Sequence, residues 1–132
     1  MGRIKNLSSG GVMRAAGVSG KQNKTVRWHN EELTIRQYLP FKDYMQVIQY
    51  ICDDIKGASD GPNLELVDFA TKVNIIQAYA YIDLPTNLED LYYVVYGSDL
   101  YDIIYKTASS KQIDEITYTI RLLILRGANY GS

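Results

Sequence analysis

The stretch from Thr25 to Tyr50 constrains the fold of this 132-residue chain more than any other part of it. Polar and apolar residues alternate on both sides of a short turn at 29–31, which predicts two strands with one apolar face each. Asn30 tolerates the left-handed backbone that a tight hairpin turn requires. Pro40 ends the second strand and can occupy the first turn of a helix. A hairpin alone is only marginally stable in water, so we expect the rest of the chain to cover it.

Apolar residues at helical spacing dominate the sequence after Pro40. The first predicted helix runs from Phe41 to Ile55, and its apolar stripe consists of Tyr44, Val47, Ile48, Ile51 and Ile55. The apolar face predicted for the second helix consists of Phe69, Val73, Ile76 and Ala80. Two short helices and a longer C-terminal helix follow with the same spacing.

Capping residues mark where these helices begin and end. Asn63 and Asn87 are favourable N-caps for the second and third helices. Ser109 and Gln112 have the spacing of a capping box, which opens the last helix. Arginine followed by glycine at 126–127 is typical of a helix end, so we expect the last helix to stop there.

The first 24 residues differ from the rest in both charge and pattern. They contain five basic and no acidic residues, which leaves nine basic and fifteen acidic residues, a net charge of −6, for the rest. They show neither helical nor strand periodicity and cannot bury enough apolar surface to organise themselves. We therefore predict an α+β fold, mostly helical, in which an N-terminal extended basic arm, residues 1–24, precedes a single α+β domain, residues 25–132. That domain contains one β-hairpin and about five helices.

A basic arm on an acidic body indicates a binding partner. We expect the arm to bind another protein chain through its basic residues and its separately spaced apolar residues. These partner-binding residues are Arg3, Ile4, Lys5, Leu7, Val12, Met13, Arg14, Val18, Lys21 and Lys24. Nucleic acid is a second candidate partner because the positive charges suit phosphates. However, the arm has no aromatic residue for base stacking, and the acidic body would repel DNA. A mobile tail that binds nothing is the remaining alternative.

Tyrosine is unusually frequent, since twelve tyrosines accompany two phenylalanines and one tryptophan. A tyrosine ring suits a position where one end is buried and the other is wet, as at subunit interfaces. Two pairs with i,i+4 spacing, Tyr92 with Tyr96 and Tyr101 with Tyr105, are the predicted contact surface. The alternative is that they are ordinary half-buried residues of a small domain.

The sequence contains no pattern that we interpret as catalytic, so we predict a protein that is not an enzyme and holds no cofactor or metal. The single histidine, His29, lies in the predicted turn, and one histidine cannot build a metal site. Cys52 lies near the apolar stripe of the first helix, where a buried thiol is typical. The segment 15–22 lacks two residues that a phosphate-binding loop requires, because alanine replaces the first glycine of that motif and glutamine replaces its final Ser/Thr. In addition, no strand is predicted before it.

Cysteine usage and hydropathy limit the cellular compartments in which we expect this chain. One cysteine excludes an internal disulfide and fits a reducing environment. No apolar run approaches the length of a membrane span, and the N-terminus lacks the apolar core of a signal peptide. We expect the chain to be made and kept in a cytoplasm, or in an assembly formed there, with no membrane partner.

Two short motifs carry a resemblance to a known family. The strand–turn–strand order followed by Arg36-Gln37-Tyr38-Leu39-Pro40 and an amphipathic helix is one of them. The stretch 73–79, followed by Ile82-Asp83-Leu84-Pro85, is the other. Together they resemble a family of small proteins encoded in the structural gene modules of tailed bacteriophages, over roughly residues 25 to 125. The basic arm is not part of that pattern.

The resemblance implies a virion or virion-assembly context, and no catalytic residue comes with it. We therefore expect a non-enzymatic virion protein, assembled in the host cytoplasm, that binds capsid or head–neck subunits in many copies. One alternative is an assembly chaperone for a tail or head protein that is absent from the finished particle. Another is an accessory protein that binds nucleic acid through the basic arm.

Overall fold

The computed structural model describes residues 6–16, 23–57 and 63–130. Within these ranges it contains six helices and one two-stranded antiparallel sheet, so the predicted α+β, mostly helical fold is confirmed. In chain order the elements are α1 Ser9–Ala16, β1 Asn23–Trp28, β2 Glu31–Arg36, α2 Phe41–Lys56, α3 Leu64–Tyr79, α4 Leu88–Tyr96, α5 Leu100–Thr107 and α6 Ser110–Tyr130.

The N-terminal arm is not extended throughout, which corrects the prediction from sequence. Residues 9–16 form α1, because the Ser8 hydroxyl accepts a hydrogen bond from the Gly11 amide at 3.0 Å and so caps the first turn. Lys24 is an exposed residue of β1, so the hairpin begins two residues earlier than predicted. Five predicted arm residues lie outside the described residues: Arg3, Ile4, Lys5, Val18 and Lys21.

Strands β1 and β2 form a hairpin with a two-residue turn. His29 and Asn30 have φ angles of 48° and 68°, and left-handed backbone at both positions is what this turn requires. The predicted loop was one residue too long, since Glu31 already pairs with β1. The predicted apolar face is confirmed, because Leu33 and Ile35 are buried.

Helix α3 is the central helix, since it packs against α2, α4, α5 and α6. Its buried residues cover more than half of its circumference, and they are Val67, Ala70, Thr71, Asn74, Ile75, Ile76 and Tyr79. The apolar face predicted for this helix is confirmed in part, because Ile76 and Ala80 are buried, whereas Phe69 and Val73 are half-buried and pack against the core. Directly after α3, Ala80 forms a β-bridge with Ile35 and so attaches the hairpin to the helical body.

Gln112 joins the start of α6 to the segment before α2 and to the end of α3. Its Nε2 donates to the carbonyl oxygen of Leu39 at 3.0 Å, and its Oε1 accepts from the amide of Leu39 at 2.8 Å. The same Oε1 accepts a hydrogen bond from the hydroxyl of Tyr79. All three residues are buried, and we call them the Gln112 junction. Because each polar group there has a partner, the junction fixes how the three segments meet.

The predicted helix starts are confirmed, one of them in part. The side chains of Asn63 and Asn87 accept hydrogen bonds from the amides three residues later, at 2.7 and 2.8 Å. At α6 the capping box is half formed. The Ser109 hydroxyl accepts from the Gln112 amide at 3.2 Å, but the Gln112 side chain points into the core instead of returning to Ser109.

Five helices, α2 to α6, follow the hairpin, but the predicted end of the last one is wrong. Helix α6 continues through Gly127 to Tyr130. A glycine costs a helix only about 1 kcal/mol relative to alanine, so it does not end the helix by itself.

Candidate protein-binding surface

The four tyrosines singled out in the sequence form one row across α4 and α5. The ring centroids of Tyr92 and Tyr96 are 5.1 Å apart, and those of Tyr101 and Tyr105 are 6.3 Å apart. Lys72 of α3 connects the pairs, because its Nζ lies 5.1 Å from the centre of the Tyr96 ring and 5.2 Å from that of Tyr101. An ammonium group beside two aromatic rings is attracted to both. We call these four tyrosines the tyrosine row.

Two further residues of α3 fix the outer half of the row. The ring centroid of Phe69 lies 6.3 Å from that of Tyr92 and 6.0 Å from that of Tyr96. Asp68 accepts a hydrogen bond from the Tyr96 hydroxyl at 2.6 Å and forms an ion pair with Lys72 at 3.3 Å. The i,i+4 spacing of Asp68 and Lys72 predicts their ion pair. The contacts that these two residues make with tyrosines of α4 and α5 have no signal in the sequence.

The two halves of the row differ in exposure. Tyr92 and Tyr96 expose 60% and 40% of their surface. Tyr101 and Tyr105 are half-buried against the core, and the Tyr105 hydroxyl donates to the Asp114 carboxylate at 3.0 Å. The outer half is therefore accessible to a partner, whereas the inner half also holds α5 in place.

Three tyrosines of the row, Tyr96, Tyr101 and Tyr105, have raised pKa values, which favour the neutral phenol. Burial raises the pKa of Tyr101 to about 12. Burial, and then the hydrogen bond to Asp68, raises the pKa of Tyr96 above the ordinary tyrosine value. The hydrogen bond to Asp114 raises the pKa of Tyr105. These tyrosines therefore present uncharged rings and polar hydroxyl edges, a combination that suits a protein interface.

A groove lies between the first turns of α3 and the outer half of the row. Its lining residues are Asn63, Leu64, Glu65, Leu66, Asp68, Phe69, Tyr92 and Tyr96. Leu64 exposes 81% of its surface, and Leu88, one helical turn before Tyr92, exposes 73%. Large apolar side chains exposed together, rather than singly, are typical of protein-binding surfaces. We call the lining residues the α3–α4 groove.

The described part of the arm also exposes its apolar residues. Leu7, Val12 and Met13 are exposed, as is the basic residue Arg14. The spacing of Val12 and Met13 relative to Ala16 places all three on one side of α1. Helix α1 therefore presents an apolar side to the solvent, and its apolar residues lie outside the hydrophobic core.

Trp28, His29 and Asp99 meet at the tip of the hairpin. Trp28 Nε1 donates to Asp99 Oδ1 at 2.7 Å, and His29 Nε2 lies 3.3 Å from the same oxygen. The Trp28 hydrogen bond is the largest cause of the lowered pKa of Asp99, and His29 contributes less. The imidazole is exposed, as the turn position predicted, but its contact with Asp99 was missed because about 70 residues separate them. The cluster secures the hairpin to the corner between α4 and α5.

Cys52 is half-buried and packs against the core. Burial raises the pKa of its thiol, so the reactive thiolate is disfavoured. Within the residues that the structure describes, no group of three His, Cys, Asp or Glu side chains is placed to hold a metal ion.

No protein-family model, curated protein or solved structure matches this chain. Among the described residues, no helix combines the length and the apolar character needed to cross a membrane. The bacteriophage context therefore stays a prediction.

Proposed function

We propose that this protein is a non-enzymatic structural or accessory protein of a tailed-bacteriophage particle, which binds capsid or head–neck subunits through the α3–α4 groove and the N-terminal arm. The observation that carries this proposal is the joint exposure of Leu64, Tyr92 and Tyr96 at one groove.

Covering this groove is favourable for two physical reasons. Apolar surface that leaves water stabilises a complex by about 25 cal/mol per Å² before the cost of association is subtracted. In addition, Phe69, Asp68 and Lys72 already hold the Tyr96 ring in place. A ring that is ordered before binding loses less conformational freedom on binding, so more of the contact energy appears as affinity.

The arm supplies a second, separate contact. Its exposed apolar residues and its basic charge give it the means to bind a neighbouring subunit at another position. Two modest contacts on one chain raise the overall affinity, because the second contact forms at high effective concentration. When many copies bind around a particle, the modest contacts of each small protein are multiplied.

The particle context is supported by the resemblance of residues 25–125 to the bacteriophage family. The motif residues at 36–40 have structural roles in this fold. Leu39 belongs to the Gln112 junction, and Arg36 forms an ion pair with Asp43 of α2. The motif is therefore a marker of the fold, and the groove, rather than the motif, is the proposed binding site.

The proposal is tested by incorporation into particles. Mass spectrometry of particles purified from cells that produce the full-length protein should detect it as a component. Tyr92→Ser should lower its copy number at least about tenfold, as expected for loss of an aromatic contact of 1.4 kcal/mol or more. Tyr118→Ser is the matched control, because Tyr118 is 64% exposed on α6 and lies outside the groove. Its incorporation should equal that of the wild type.

Two outcomes would contradict the proposal. Equal incorporation of the Tyr92 and Tyr118 variants would exclude the groove as the binding site. Absence of the protein from finished particles, together with binding to unassembled head or tail protein, would favour the assembly-chaperone function instead.

A further inference from the structure

We infer that the occupant of the α3–α4 groove is helix α1 of a second copy of this chain, so that copies join head to tail. This inference rests on the proposed function in one respect, namely that the groove binds protein. It names the partner as the chain itself, so a capsid or head–neck subunit would bind only a groove or an arm that is left free at an end of the assembly.

Both elements expose apolar surface. Helix α1 has eight residues and is therefore about 12 Å long. Its apolar side, formed by Val12, Met13 and Ala16, is exposed, as are Leu64 and Tyr92 in the groove. A short amphipathic helix laid in an apolar groove is a common mode of protein recognition. Each surface would cover the other.

The charges of the two elements are also complementary. Glu65 and Asp68 line the groove, and Glu89 and Asp90 are exposed in the first turn of α4. The first 24 residues contain five basic and no acidic residues, so the arm as a whole is positively charged. Arg14 itself lies on the side of α1 opposite its apolar residues. Opposite charges that meet at the rim of an apolar contact increase its specificity and rate of association.

The charge of the whole chain favours a copy of itself over an unrelated partner. The arm carries +5 and the rest of the chain carries −6, so the total is close to zero. A contact between the arm of one copy and the body of the next neutralises both. The same contact repeated with further copies needs no other protein to balance the charge.

Geometry favours a second copy over the chain's own groove. Arg36, which pairs with the first residue of β1, donates a hydrogen bond to the carbonyl oxygen of Ala78, at the C-terminal end of α3. The groove lies at the N-terminal end of α3, about 18 Å away along the 12 residues from Leu66 to Ala78. The chain from Ala16 to Asn23 spans at most about 25 Å when fully extended. Docking in the same molecule would therefore stretch this connection to about 70% of its maximum length, and in the structure α1 instead stays exposed.

An arm-to-groove contact joins two different surfaces, so it leaves one free arm and one free groove at the ends. Such heterologous contacts close into rings or continue as filaments. The inferred assembly is therefore a ring, whose smallest form is a pair of copies that exchange arms, or an open chain of copies.

The inference is tested with the purified full-length protein alone, by sedimentation or light scattering over a range of concentrations. The wild type should form arm-exchanged dimers or larger oligomers, and they should dissociate in about 0.5 M salt because exposed charges are then screened. An arm variant, Val12→Asp with Met13→Asp, and a groove variant, Leu64→Ser with Tyr92→Ser, should each be monomeric. Tyr118→Ser should assemble like the wild type. Circular dichroism should show that each variant body remains folded, since all four altered residues are exposed.

Mixing the two defective variants gives the decisive result. The intact arm of the groove variant should enter the intact groove of the arm variant, so that the mixture forms dimers that cannot grow further. A mixture that stays monomeric would overturn the inference, as would a wild type that is monomeric at every concentration, whether its α1 is free or docked in its own groove.

The two proposals fail separately. A monomeric protein that still enters particles through Tyr92 would overturn the copy-to-copy contact and leave the proposed function intact. If the protein forms oligomers through its arm but is absent from particles, the proposed function is overturned and the copy-to-copy contact stands.

Discussion

Tyr79 and Tyr92 are the same type of residue in opposite surroundings. Tyr79 is fully buried in the Gln112 junction, and its hydroxyl donates to Gln112, whereas Tyr92 leaves more than half of its surface in water. In the described residues, every buried polar side-chain atom has a hydrogen-bond partner, so the junction is complete within the chain. The groove around Tyr92 instead leaves large apolar side chains without a cover. The comparison teaches that the junction determines the fold and that the groove is available to a partner.

The largest expected effect is at the junction. Gln112→Leu removes the partners of the Leu39 amide, the Leu39 carbonyl and the Tyr79 hydroxyl, which are all buried. A buried polar group without a partner costs roughly 1–3 kcal/mol, so we expect the free energy of unfolding to fall by about 4 kcal/mol. Urea denaturation measures this change. The neighbouring exposed position provides the control, since Lys111→Leu should change stability by less than about 0.5 kcal/mol. A loss below about 1 kcal/mol for Gln112→Leu would remove the distinction between junction and groove.

Alkaline pH should act on the junction and the inner tyrosine row together. Burial raises the pKa of Tyr79 and Tyr101, to about 12 for Tyr101, whereas an unfolded tyrosine titrates near 10. The folded state therefore favours the neutral phenol. This preference adds its full amount to the free energy of unfolding below pH 10, and that amount is lost as the pH rises toward 12. For Tyr101 the loss is about 2 kcal/mol. Melting temperature measured by circular dichroism should fall more steeply between pH 10 and 12 than between pH 7 and 9. A flat profile would show that neither phenol depends on its surroundings.

A smaller effect is expected when the Tyr79 hydroxyl alone is removed. Tyr79→Phe keeps the buried ring and leaves the two hydrogen bonds between Gln112 and Leu39 in place. We expect a loss of about 1 kcal/mol in the free energy of unfolding. Tyr81→Phe is the matched control, because Tyr81 is exposed and its hydroxyl is free to bond water, so its stability should equal that of the wild type. If Tyr79→Phe cost as much as Gln112→Leu, the hydroxyl would be the main element of the junction.

The smallest effect on stability is expected in the groove. Tyr92→Ser should change the free energy of unfolding by no more than about 0.5 kcal/mol, since the ring is mostly exposed. The same variant should lose partner binding, which sets it apart from every junction variant. Urea denaturation of the purified variant, compared with its incorporation into particles, measures both quantities. A large loss of stability would mean that Tyr92 belongs to the fold, as Tyr79 does.

Local patterns predicted the hairpin and the five helices that follow it, but they missed α1 and the end of α6. Alternation predicted the strands, Asn30 predicted the turn, and Asn63 and Asn87 predicted two helix starts. Each of these signals acts over a few residues, so neighbouring sequence determines it.

Contacts between distant segments could not be predicted in this way. The Gln112 side chain follows the capping-box pattern, yet it bonds Leu39, 73 residues earlier, because that buried backbone needs a partner. The tyrosine row was predicted as two separate pairs, and the place of Lys72 between them depends on how α3 packs against α4 and α5. Ser8, which caps α1, is a residue type that favours helix starts. The helix was not predicted because no longer run of apolar residues at helical spacing follows it.

The hydrogen bond between Trp28 and Asp99 has a practical consequence. This tryptophan is the only one in the chain, so the intrinsic fluorescence excited near the red edge of absorption comes from one indole at the tip of the hairpin. Its emission therefore reports whether the hairpin is seated against the corner between α4 and α5. Release of the hairpin can be followed separately from the loss of helical signal, and the protein supplies its own probe for that event.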